Sequence, residues 1–110
     1  MKLLTQEILR AVPALYGQED RGREAKVHAK YFTPWSNWRW YMTEYDPETG
    51  RAFGLVSGMA VEFGYFMLSE LEELRGPVGL RVERDLYGAP ETIGEALSEC
   101  ESRGEEVPSL

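Results

Sequence analysis

The chain has one cysteine, one histidine and no long apolar run, and each scarcity removes a class of function. A single thiol, Cys100, excludes a disulfide framework and a cysteine-based zinc site, and it fits a reducing compartment, so a cytoplasmic location is expected. The longest uncharged stretch, Ala52 to Val61, carries Gly54, Ser57 and Gly58 and falls far below the ~20 residues of a membrane span. The first residues, Met1 to Glu7, lack the apolar stretch of a signal peptide. No glycine-rich phosphate loop and no nucleophile elbow is present, and no cofactor is expected. There is also no internal repeat or low-complexity segment.

The 110 residues suit one domain with one core, with 43% hydrophobic residues and 12% aromatic ones. We place the domain at residues 1–104 and read 105–110 as a flexible acidic tail. The net charge of −7 is uneven: residues 1–45 sum to +2 and residues 46–110 to −9. Such an acidic surface aids solubility and disfavours tight binding to a polyanion.

Periodicity gives the order of elements. Thr5 is an N-cap for a short helix with Ile8, Leu9 and Val12 on one stripe, stopped by Pro13. Gln18 to Glu24 reads as an exposed loop. Lys26 to Phe32 and Trp38 to Tyr45 alternate as strands around a Thr33-Pro34-Trp35-Ser36-Asn37 turn. Asp46-Pro47-Glu48-Thr49-Gly50 is a hairpin turn into strands Arg51–Ser57 and Met59–Met67. Ser69 with Glu72, and Thr92 with Glu95, have the spacing of capping boxes. Leu80 to Tyr87 fits a short edge strand, and Ile93, Ala96, Leu97 and Cys100 line one face of the last helix. The expectation is therefore an α+β fold: an antiparallel four- or five-stranded meander sheet, with one N-terminal and two later helices packed on one face. Parity then puts Trp38, Trp40 and Met42 in the core and leaves Lys26, His28, Lys30, Arg39 and Tyr41 on an outer face.

Several blocks, taken in order, resemble a known family: Lys2-Leu3-Leu4-Thr5, Pro13-Ala14-Leu15-Tyr16, Lys30-Tyr31-Phe32-Thr33-Pro34, Ser36-Asn37-Trp38 with Trp40-Tyr41, Gly64-Tyr65-Phe66, Leu68-Ser69-Glu70-Leu71, Arg75-Gly76-Pro77 and Glu83-Arg84-Asp85-Leu86-Tyr87. The family is the uncharacterised bacterial one catalogued as domain of unknown function 2958, and the similarity spans about residues 2 to 90. The resemblance implies an accessory protein of plasmids, integrative elements or phages, with no reaction or catalytic set to carry over. Cys100 and the acidic tail lie outside the resembling part.

Four features are candidates to carry chemistry. The acidic helices, with Glu91, Glu95 and Glu99, and the Trp35 turn are candidates for contacting a protein partner. In the implied setting this gives a non-enzymatic interaction module of a mobile element, with an anti-defence role as one use. Lys26, Lys30, Arg39 and Tyr41, interleaved with aromatics, form the alternative: a weak single-strand nucleic-acid binder. Glu83 and Asp85, two apart on a strand, would project to one side and offer a second alternative, a metal-dependent enzyme. The only other pairing, His28 with Cys100, conflicts with the place of Cys100 on an apolar helical stripe.

Overall fold

The computed structural model describes every residue from Met1 to Leu110. Thr5 caps α1 (Gln6–Ala11), its hydroxyl accepting the Ile8 N–H at 3.2 Å. Four strands follow as a meander: β1 (Ala29–Phe32), β2 (Arg39–Asp46), β3 (Arg51–Ser57) and β4 (Val61–Met67). α2 (Leu68–Glu73) leaves β4 without an intervening loop, and β5 (Glu83–Arg84) and α3 (Ile93–Ser102) complete the chain. The strands make one antiparallel sheet in the order β4-β3-β2-β1-β5, so the expected α+β class and antiparallel sheet hold. Gly50 takes the positive φ of 78° that closes the β2–β3 turn, a conformation glycine adopts without a steric cost.

Several ends differ from the sequence reading: β2 begins at Arg39, β4 at Val61 rather than Met59, and β5 is confined to Glu83–Arg84. Leu68 is already helical and buried, so Met67 rather than Ser69 occupies the N-cap, with no side-chain bond. Residues 26–28 stay outside β1, with Lys26 bridging to Thr92 alone. The loop around Gln18 is also anchored: its buried amide donates to the Lys26 and Thr43 carbonyls and accepts from the Lys26 N–H.

The helices do not share one face, and this corrects the expected packing. Leu3, with Ile8 and Val12 beside it, and Leu68 and Leu71 of α2 cover the side holding Ala29, Tyr31, Trp40, Met42 and Ala52. α3 instead lies on the opposite side, where Ile93, Ala96, Leu97 and Cys100 meet Tyr41, Leu55 and Val61. Each side therefore removes its own apolar surface from water, at ~25 cal/mol per Å². A register shift between Met42 and Glu44 returns Tyr45 to the Trp40 side. Trp38, expected beside Trp40 in the core, precedes the strand and is 40% exposed.

Candidate functional site

The face assigned to solvent by parity is the floor of a polar network under α3. Lys30 pairs with Tyr41, and Phe32 with Arg39, across β1 and β2, so Lys30, Arg39 and Tyr41 share one side as expected. All three are buried. The expected open cationic face is therefore absent, and the cause is a set of carboxylates supplied from far along the chain. Arg39 donates to the Tyr41 hydroxyl (3.0 Å), the Asn37 carbonyl (2.9 Å), both oxygens of Glu105 (2.7 and 3.4 Å) and Cys100 Sγ (3.4 Å). Tyr41 donates in turn to Glu99 Oε2. Lys30 Nζ reaches both Glu99 oxygens at 3.1 and 3.2 Å, stands 3.6 Å from Asp85, and lies over the Tyr41 ring. Ser57 donates to Glu105 Oε1 at 3.1 Å.

The titration behaviour follows from these contacts. Burial pushes the Tyr41 hydroxyl well above its ordinary range, with the Glu99 carboxylate adding to the effect. The Arg39 hydrogen bond holds Glu105 below the usual carboxylate value, against the effect of burial. Burial alone would raise Asp85, but the Gly88 and Tyr87 N–H groups and Lys30 outweigh it and lower the pKa. Burial raises the Cys100 thiol and so opposes thiolate formation, although the neighbouring Arg39 favours it. No buried side-chain nitrogen or oxygen lacks a partner. The cations at the floor of the cluster are thus matched by carboxylates that keep part of their surface at its rim.

The remaining sequence candidates separate. Lys26, Glu91 and Glu95 are exposed, and Glu95 accepts the Glu91 N–H at 2.9 Å in front of α3. Glu99, grouped with them by sequence, is turned inward to Lys30 and Tyr41. Glu83 lies in β5 but Asp85 lies beyond it, closing the following turn. Asp85 nevertheless continues the ladder, its N–H donating to the Lys30 carbonyl as Glu83 pairs with Phe32, so the two carboxylates share the side of Lys30. Asp85 is held there by Lys30, and no cluster of three metal-ligating side chains includes the pair. His28 makes no bond with Cys100, whose polar partner is Arg39. Glu105 is the group that sequence reasoning missed. Assigned to a flexible tail, it is docked on Arg39 and Ser57, and Val107 packs on the α3 side of the core. Gly104, at φ 83°, ends the helix as its composition suggests, but a single glutamate after a helix stop carries no periodic signal.

A second feature lies at the end of the sheet where the β1–β2 and β3–β4 turns meet the segment before β5. Trp35, Trp38 and Trp40, with Thr33, Ser36 and Leu74, line an open groove of about 380 Å³. The Trp38 and Trp40 rings are 5.8 Å apart and tilted by 32°. Gly76 and Gly58 admit the Trp35 and Trp38 rings, since a Cβ on either would come within 2.3 Å of the indole. Close by in sequence to these glycines stand Met59 (97% exposed) and Val78 (98%), the latter at φ 52°.

No helix is long and apolar enough to cross a membrane. In comparisons with known proteins, the model of a family described as "Protein of unknown function (DUF2958)" matches residues 3–105. That span takes in Cys100 and Glu105, beyond the resemblance read from the sequence. No curated protein and no solved structure matches the chain.

Proposed function

The chain belongs to the DUF2958 family, and we propose that it is a non-enzymatic interaction module that docks on another protein through the tryptophan groove. The observation that carries this reading is the half-exposed Trp38 beside Trp35 and Trp40 in an open groove. Large aromatic anchors at the centre of an apolar patch dominate protein interfaces. The network under α3 supports the non-enzymatic part, because its carboxylates serve as counter-ions to Lys30 and Arg39 and its thiol is buried with a raised pKa. The net charge of −7 selects the occupant: an apolar side chain flanked by basic residues on the partner. In the mobile-element setting that the resemblance implies, and the cytoplasmic location expected from the single cysteine, such docking would serve an accessory role, anti-defence included. The nucleic-acid reading loses support, since of its four residues only Lys26 is exposed.

The test is capture from bacterial lysate with the wild type, Trp38→Ala and the control Tyr87→Ala, each checked for folding and each run with and without nuclease. A partner that withstands nuclease, weakens with salt and loses about 30-fold in affinity with Trp38→Ala alone is expected. A partner indifferent to Trp38→Ala, or captured only while nucleic acid is intact, overturns the proposal.

A further inference from the structure

The two edges of the sheet are unequal. β5 is only two residues long, whereas β4 runs for seven and pairs with β3 alone. β4 reads Val61-Glu62-Phe63-Gly64-Tyr65-Phe66-Met67: no lysine, no proline and one charge. Natural sheets blunt exposed edges with such residues or with bulges, and β4 pairs with β3 in unbroken register.

The direction of its free backbone groups can be fixed. Leu68 N–H donates to the Gly50 carbonyl and Gly58 N–H to that of Ala60, which makes 50–68 and 58–60 bonded pairs at the two ends of the β3–β4 ladder. Bonded pairs recur at every second residue of an antiparallel ladder, so Glu62, Gly64 and Phe66 face β3. Val61, Phe63, Tyr65 and Met67 therefore turn their N–H and C=O groups away from the sheet. Tyr65 is 45% exposed, and its ring forms an edge contact with Phe53, which also stacks on Phe63.

We propose that two copies of this chain join edge to edge through antiparallel β4 strands, with the twofold axis at Gly64. Gly64 is the middle residue of β4, so only this axis brings the whole strand into register. The outward residues then bond to one another: Phe63 with Tyr65 of the second copy, Val61 with Met67, and the reverse. Gly64 meets its own copy in the non-bonded position, where Cα atoms approach to about 4.5 Å and any side chain placed there faces its own image. Within one copy nothing requires glycine there, because a Cβ at Gly64 meets no atom within 4 Å. Glu62 falls opposite Phe66, so no like charges are opposed, and the aromatic row of Phe53, Phe63 and Tyr65 continues across the joint.

The geometry also supplies the test, sedimentation equilibrium over a dilution series. Gly64→Glu and Gly64→Lys fit the single copy but set like charges opposite each other on the axis. Each is expected to weaken self-association by at least about tenfold, while an equimolar mixture of the two restores a dimer. Tyr65→Pro removes an outward N–H while leaving the β3 ladder intact, and is expected to give a folded monomer. Circular dichroism checks the fold of each variant. A wild type that is monomeric at every concentration, or a dimer indifferent to all three substitutions, overturns the proposal. So does β4 that accepts an extended peptide but never a second copy.

Discussion

Replacing Glu105 with alanine should destabilise the protein far more than a tail residue could. Arg39 is 4% exposed and Glu105, which takes two of its N–H groups, is 26% exposed. Removing one partner of a fully buried ion pair costs about 3–5 kcal/mol, because the remaining charge is left without compensation. Water reaches the outer part of Glu105, and Arg39 keeps Asn37, Tyr41 and Cys100, so about 2 kcal/mol is expected. In a chain of this size that lowers Tm by roughly 8 °C. Glu105→Gln, which retains an acceptor, should cost about half as much. Urea unfolding followed by tryptophan fluorescence measures all three proteins, with m unchanged if only the native state is affected. A cost below about 0.5 kcal/mol for Glu105→Ala, the range of ordinary surface changes, would refute the reasoning and return residues 105–110 to a flexible tail.

Acid should weaken the fold through the same group. Glu105 and Asp85 have lowered pKa values, so their contribution is complete above the ordinary values of 4.5 and 3.8 and is lost as pH falls through the depressed ones. Urea midpoints measured downward from pH 5 should decline, and the decline should be shallower in Glu105→Gln. Tyr31→Phe removes the bond from the buried hydroxyl to the Leu3 carbonyl (2.6 Å) and should cost about 1.5 kcal/mol by the same assay. Gly54→Ala would place a Cβ 1.8 Å from the Tyr41 carbonyl oxygen, forcing β2 and β3 apart, so loss of about 3 kcal/mol or more is expected, against near neutrality for Gly64→Ala. Val78→Gly should raise Tm by a few degrees, since it relieves an exposed β-branched residue from the left-handed region at a cost of about 1 kcal/mol.

What the sequence disclosed was local. The Thr5 and Thr92 caps, the turn at Gly50, β3 and the buried stripe of α3 each rest on neighbours within a few residues. The register shift at Met42–Glu44 leaves no such mark, and Ser69 lost its capping role because β4 runs directly into α2. Parity correctly grouped Lys30, Arg39 and Tyr41 on one side of the sheet but could not say what covers that side. Alternating cations read as solvated, yet their counter-ions Glu99 and Glu105 lie more than sixty residues further on. Pairing at that separation has no sequence period. The aromatic segment gave both its members and its turn, but exchanged the roles expected at its start: Trp38 borders the groove while Arg39 and Tyr41 are interior.

The clasp between the two halves of the chain also sets an order of assembly during synthesis. Ala25 and Val27 exchange backbone bonds with Ile93 and Glu91, and Lys26 bridges to Thr92, so α3 is seated by a segment that emerges long before it. Domains fold as the chain is extended, and the four-strand meander is complete at Met67. Until α3 and Glu105 leave the ribosome, Arg39 and Lys30 remain hydrated and the α3 side of the sheet stays bare. A premature stop early in α3 would thus release all five strands with one apolar side open to water, a product suited to aggregation and to rapid proteolysis.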